Sequence, residues 1–192
     1  MTIHLTKTQI RQECFSHRKT LSAKYIAETS AQIIQQIVQT QAYQNAQHIA
    51  WYFPVRGEVD LSSLWQAALD ANKACYFPSI QADQTLLFLP YDKKTPWLSN
   101  KYGISEPNTP PSTAKAPQKI DLIFVPLVAF DTQCMRLGMG KGYYDKALQD
   151  CTHPIRMGVA YDWQKYPALP TDPWDIQLHQ IITEKKRYTP AT

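Results

Sequence analysis

Residues 6–41 contain neither glycine nor proline and are rich in Gln, Ala, Lys and Ile, which favours helix. Within them Ile26, Ser30, Ile33, Ile34, Ile37 and Val38 recur at spacings of three and four. That is one apolar stripe for a helix to bury, with Ser22 placed to cap its start. The pattern then shortens. Residues 48–53, H-I-A-W-Y-F, read as a strand stopped by Pro54. Gly57 marks a turn, Asp60 a helix N-cap, and residues 61–71 an amphipathic helix carrying Leu64, Trp65, Ala68 and Leu69. Short strands follow at 74–77 and 85–89, each ended by a proline, Pro78 and Pro90. Residues 91–119, rich in Pro, Ser, Lys and Asn, hold no sustained period and read as a long surface excursion, a type of loop that often serves as a lid. Inside it, residues 102–107 suggest a turn with an aromatic wall, and Trp97 is either a core anchor or a ligand platform. The apolar run 122–130, with Pro126 in it, has the length of one buried strand. A helix at 143–151, a strand at 155–161, a proline-rich connection at 162–173 and a last strand at 180–183 precede a basic tail of Lys185, Lys186 and Arg187. Strands alternating with helices predict an α/β fold with a predominantly parallel sheet and helices on both faces, in a single domain over residues 1–192.

Composition narrows the setting. With 192 residues, 44% of them hydrophobic, the chain can bury a substantial core. Twenty basic residues against 16 acidic ones leave a net charge of +4, scattered and without runs. This biases the chain towards small anions and gives no expectation of a nucleic-acid partner. The first residues lack an apolar leader, and no stretch approaches the ~20 apolar residues of a membrane span. The protein is expected to be a cytoplasmic monomer that does not meet a membrane. Cys14, Cys75, Cys134 and Cys151 form no C-x-x-C pair, and His4, His17, His48, His153 and His179 show no ligand spacing, so reduced thiols and surface or partly buried histidines are expected.

The densest chemistry lies at R-L-G-M-G-K-G-Y-Y-D. Gly138, Gly140 and Gly142 alternate there, with Arg136 before them and Lys141 among them. Glycine backbone can turn successive N–H groups onto an anion, and a helix starting after Gly142 adds more donors. The loop is not a Walker A motif, since Gly142 stands where a hydroxyl must follow the lysine, and G-x-G-x-G is not the dinucleotide fingerprint. A plain structural turn would also explain three glycines. Arg136 and Lys141 can neutralise phosphate oxygens while Asp145 holds a Mg²⁺ bridging them, a minimum kit for phosphoryl transfer. Lys7, Arg11 and Arg18 fall on roughly one helix face, either solvated or reaching back to this loop. Glu58 and Asp60 sit at a strand-to-helix junction, the ligand-facing edge of α/β sheets, though Asp60 serves equally as a cap.

These residues resemble the 5-formyltetrahydrofolate cyclo-ligase (methenyltetrahydrofolate synthetase) family. The likeness is carried by the basic first helix with Arg11, G-E-V-D at 57–60, the patch Gly103, Ile104, Glu106 and Pro107, D-L-I-F-V-P with A-F-D, R-L-G-x-G-K-G-Y-Y-D, and W-D-I-Q-L. Three positions depart from it: Leu127 and Cys134 stand where the family usually has glycine, and Met139 where an arginine or bulky aromatic is frequent. The resemblance implies ATP- and Mg²⁺-dependent closure of 5-formyltetrahydrofolate to 5,10-methenyltetrahydrofolate, with small molecules as the only partners. By position it implies Lys7 and Arg11 on the ATP phosphates, with Arg136, Leu137, Gly138, Met139, Gly140, Lys141, Gly142, Tyr143 and Tyr144 wrapping the nucleotide. Asp145 and Asp175 are the implied metal ligands. Phe53, Glu58, Met139, Gly140, Lys141, Gly142 and Tyr143 would border the pterin and formyl group. Lys141, with Arg136, would stabilise charge on the transferring phosphoryl group. Two other readings use the same loop: a phosphate-binding enzyme of the sugar-phosphate isomerase or CoA-transferase type, and a folate- or nucleotide-binding protein without catalysis.

Overall fold

The computed structural model describes residues 5–191, so His4 lies outside them. The first helical region is two helices, α1 (Lys7–Thr20) and α2 (Ala23–Ile37). Thr6 and Gln9 close a reciprocal capping box on α1, and the Ser22 hydroxyl accepts from the Tyr25 amide to start α2. Ser30, Ile33 and Ile37 of the predicted stripe are buried, but Val38 has turned outwards as the last turn ends. After α3 (Gln41–Asn45) come β1 (His48–Ala50), α4 (Ser62–Asp70), β2 (Ala74–Ile80) and β3 (Leu86–Tyr91). Asp60 is not the N-cap of α4, a place taken by Leu61, yet its Oδ1 accepts from the Ser62 amide at 2.8 Å. It satisfies one orphan donor of the helix from a residue further back.

Neither proline ends its strand. Pro78 faces the side of β2 where β1 has already stopped, its last contact being Trp51 N to Tyr76 O, and Pro90 lies on β3, the sheet edge. Neither position needs an N–H. The excursion at 91–119 is more ordered than its composition suggests. It contains the antiparallel pair β4 (Trp97–Ser99) and β5 (Ser105–Pro107), fastened to β2 because Glu106 accepts from Ser79 Oγ at 2.7 Å and from Ile80 N at 3.1 Å. Trp97 is a core anchor here, stacked on Tyr91 at 4.2 Å and edge-on to Phe77 at 5.0 Å.

The apolar run 122–130 divides at Pro126 into β6 (Leu122–Val125) and β7 (Ala129–Asp131), which belong to different sheets. β7 pairs with β8 (Arg136–Leu137) and, further on, with β10 (Lys165–Tyr166). Between β7 and β8, Cys134 takes φ 58°, a left-handed turn that costs a non-glycine residue about 1–2 kcal/mol and that glycine would adopt freely. Then follow α5 (Tyr143–Leu148), β9 (Ile155–Val159), β11 (Gln180–Ile182) and β12 (Arg187–Tyr188).

The main sheet runs β12-β11-β9-β6-β1-β2-β3, parallel throughout its centre and antiparallel only at the two edges. α2, α3 and α4 cover one face, over a core that includes Trp51 stacked on Phe124 at 4.8 Å, and α5 lies against the other. The chain moves one way from β1 to β2 and the other way from β6 to β9, so the topological switch lies at the C-terminal ends of β1 and β6. Ligand crevices in open α/β sheets form at that place. All four cysteines are buried free thiols. No helix among the described residues is long and apolar enough to cross a membrane.

Candidate active site

β8 delivers Arg136 and Leu137, and the glycine loop follows directly. Leu137 packs into a small core with Ile10 and Cys14, so only its backbone is left for a ligand. Gly140 (φ 95°) and Gly142 (φ 67°) take left-handed conformations, whereas Gly138 does not. A side chain at Gly140 would also press on Arg11, whose guanidinium carbon lies 3.3 Å from where a Cβ would sit. Arg11 Nε donates to Gly138 O at 2.8 Å, so α1 reaches the loop and braces it. Lys141 and Met139 are exposed on the loop, and the Tyr143 hydroxyl lies 3.1 Å from that of Tyr102, in the 91–119 excursion.

A second set of charges stands behind the loop. Lys7 Nζ lies 2.7 Å from Asp172 Oδ2 and 2.5 Å from Asp175 Oδ2, and Asp175 also accepts from the Asp172 amide at 2.8 Å. Burial alone would depress the Lys7 ammonium, but the two carboxylates outweigh it and raise its pKa. Burial likewise raises the Asp175 carboxyl, yet Lys7 and the Asp172 amide bring it below the ordinary value. Arg136 is buried, with Nη1 3.0 Å from Asp145 Oδ1 and 3.1 Å from Ile176 O, while Asp145 Oδ1 accepts from Ile176 N at 3.2 Å. Lys7, Arg11, Arg136, the glycines, Asp145 and Asp175 thus meet in one place.

Among the described residues no group of three His, Cys, Asp or Glu side chains forms a ready cation cage. Asp145 and Asp175 nonetheless keep one oxygen each, Oδ2 and Oδ1 respectively, outside the hydrogen bonds and ion pairs given above. One or two carboxylates completed by substrate phosphates is how Mg²⁺ is commonly held, so this donor set fits that ion.

Phe53 and Glu58 come from the loop after β1. Phe53 meets Trp97 edge-on at 5.5 Å. Glu58 is 6% exposed; Oε2 accepts from Val55 N at 3.1 Å and Oε1 lies 3.4 Å from Arg18 Nη1. Burial pushes its carboxyl up to about 7, against the downward pull of Arg18 and the Val55 amide. Tyr144, at the start of α5, is raised by burial and then by the Glu58 charge, with Arg136 pulling the other way. Its buried hydroxyl has no partner among the described residues.

The folded protein holds a proton on Glu58 between the ordinary value of 4.5 and about 7, where the unfolded chain has released it. This group favours folding most below the lower value, and on the order of 3 kcal/mol of that contribution is lost as pH rises through the interval. Glu58→Gln is expected to flatten the fall in stability between about pH 5 and about pH 7.5, measured by urea unfolding. Parallel slopes for the two proteins would show an unshifted carboxyl.

The family model described as the 5-formyltetrahydrofolate cyclo-ligase family matches residues 4–184. The chain belongs to this family. It is an enzyme of the ligase class. A 5-formyltetrahydrofolate cyclo-ligase of Haemophilus influenzae is 35% identical over 180 residues, covering 92% of this chain and 96% of that one. The mouse 5-formyltetrahydrofolate cyclo-ligase is 26% identical, with 96% of each chain covered. The NMR structure of Aquifex aeolicus 5,10-methenyltetrahydrofolate synthetase superposes with a TM-score of 0.87 at 30% identity, over 98% of this chain and 94% of that one.

Asp172 carried no assignment from the sequence, and Arg18, read as solvated or as reaching the glycine loop, is instead buried against Glu58 and Leu127. Asp172 sits in a proline-rich connection without a period, so nothing marked it as the partner of Lys7. Arg18 shares the helix face of Lys7 and Arg11, the one signal available, but its burial depends on a loop distant in sequence.

Proposed function

We propose that this ligase closes 5-formyltetrahydrofolate to 5,10-methenyltetrahydrofolate with ATP as phosphoryl donor and Mg²⁺ as cofactor. The observation that carries the reading is the convergence of Lys7, Arg11, Arg136 and the left-handed glycines beside Asp145 and Asp175, on the loop that also carries Lys141. A formamide oxygen is a poor leaving group. Transfer of the γ-phosphoryl group to it releases ADP and leaves an imidate-like phosphate. N10 then attacks the formyl carbon, the carbon–oxygen bond to phosphate breaks, and the N10 proton is lost. Mg²⁺ held by Asp145 and Asp175 would supply charge neutralisation on the phosphate oxygens.

The chain's own residues position and stabilise. Arg11 holds the loop through Gly138 O, Arg136 presents a buried cation behind it, and the exposed Lys141, between two glycines, would stabilise the charge that develops on the phosphoryl group. The sugar-phosphate isomerase and CoA-transferase alternatives lose ground because family membership accounts for the whole loop and its surroundings. Mixing the protein with 5-formyltetrahydrofolate, ATP and Mg²⁺ is expected to generate the absorbance of the methenyl product. Omission of ATP or addition of excess EDTA is expected to abolish it, and equal turnover under either condition would overturn the reading.

A further inference from the structure

Arg18 is a buried charge to which the proposed reaction assigns no part. Its Nη2 donates to Leu127 O at 2.5 Å, and its Nη1 reaches Glu58 Oε1 at 3.4 Å. Leu127 lies just past β6 and Glu58 on the loop after β1, so one guanidinium spans the two loops that leave the sheet at the switch point. The second loop runs hard against α1, a Cβ at Gly57 falling 3.2 Å from Arg18 O. Arg18 Nε is buried with no partner among the described residues, so hydrogen bonding has not been optimised for this side chain. Buried ion pairs are weak stabilisers compared with apolar residues of similar size, which directs attention from stability to what Arg18 holds.

We propose that Arg18 is a positioning residue of the folate site: it fixes the Glu58 carboxylate beside the Leu127 carbonyl and keeps that carboxylate charged for the substrate. This rests on the reading of Glu58 as a folate contact. The aminopyrimidinone edge of a pterin presents adjacent N–H donors, which an ionised carboxylate accepts and a carboxylic acid meets with a donor of its own. The groups around Glu58 are Arg18 on α1, Tyr52 and Arg56 near it in sequence, Tyr144 on α5 and Tyr161 after β9. Burial holds the three tyrosines neutral, and Arg56 is exposed to solvent. Arg18 is thus the buried cation that opposes desolvation, the balance of the two leaving Glu58 at about 7, and its removal drives the carboxyl further up.

Steady-state kinetics of wild type, Arg18→Gln and Arg18→Lys across about pH 6 to 9, with calorimetric ATP binding in the absence of folate, test this. Arg18→Gln is expected to raise KM for 5-formyltetrahydrofolate about tenfold or more at neutral pH, and to move the acid limb of kcat/KM for the folate up by about one pH unit, with ATP affinity within about twofold of wild type. Arg18→Lys keeps the charge but not the fork and is expected to fall between the two. An unmoved acid limb, or ATP affinity falling in step with folate affinity, would overturn the proposal, the second because it marks displacement of all of α1. Should Arg18→Gln fail to fold, Arg18→Lys decides by the same two measurements. A wild-type protein that does not turn over the folate removes the proposed function and this inference together; wild-type turnover with an unmoved limb in the variants removes only the inference.

Discussion

Asp145→Asn is expected to lose turnover and stability together. Asp145 Oδ1 sits between the buried Arg136 guanidinium and the Ile176 amide, so neutralising it leaves a cation in the interior without its counter-charge. Removing one partner of a fully buried pair costs about 3–5 kcal/mol; the Asp145 side chain is 19% exposed and an amide oxygen can still accept from the Ile176 amide, so about 1–3 kcal/mol is expected, seen as an earlier thermal transition. From the sequence alone Asp145, just inside a helix start, reads as a metal ligand or a helix-capping carboxylate, and the first reading has Asn leave the melting temperature near normal. Its ion pair with Arg136 changes that expectation. Turnover is expected to fall by at least about a hundredfold and to recover in part at high Mg²⁺, since a carboxylate is lost from the metal set and Arg136 from its fixed place. Normal turnover by the folded variant would reduce Asp145 to a support for Arg136 and make Asp175 the residue to test for metal.

Lys141→Met is the complementary case, a large loss of rate with an unchanged melting temperature. Lys141 is exposed and makes no ion pair among the described residues, and its backbone lies between two left-handed glycines that the substitution does not touch. Nothing in the fold depends on its ammonium group. If that group stabilises charge on the phosphoryl in transfer, kcat is expected to fall about 100- to 1,000-fold, the range for one preorganised transition-state contact, with a smaller loss of ATP affinity. An unchanged kcat would place the stabilising charge on Arg136 and Arg11 instead.

Features that depend on near neighbours in the chain were legible in the sequence. The two opening helices, the break at Ser22, the turn at Gly57 and the glycine loop each express a local period, a cap or a glycine, and each stands where expected. The cyclo-ligase-family motifs were legible for the same reason, since the residues of R-L-G-M-G-K-G-Y-Y-D are contiguous. The failures share the opposite property. Pro78 and Pro90 end a strand only if their missing N–H faces a neighbour, and that depends on where β1 stops and which strand forms the edge. The run 122–130 shows no periodic sign that its two halves join different sheets. The excursion at 91–119 became ordered through Glu106 and Trp97, whose partners lie on β2, β3 and α4.

The sequence by itself determined the α/β class, the position of the glycine loop, and the family, because helix period, glycine freedom and a contiguous motif are local properties of a chain. Only the tertiary structure decided which charges are partners: Lys7 with Asp172 and Asp175, Arg136 with Asp145, Arg18 with Glu58. A charge's protonation and energetic worth follow from how deeply it is buried and what lies within a few ångströms, and for residues 9 to 168 positions apart neither is set until the sheet has brought its crossing loops together.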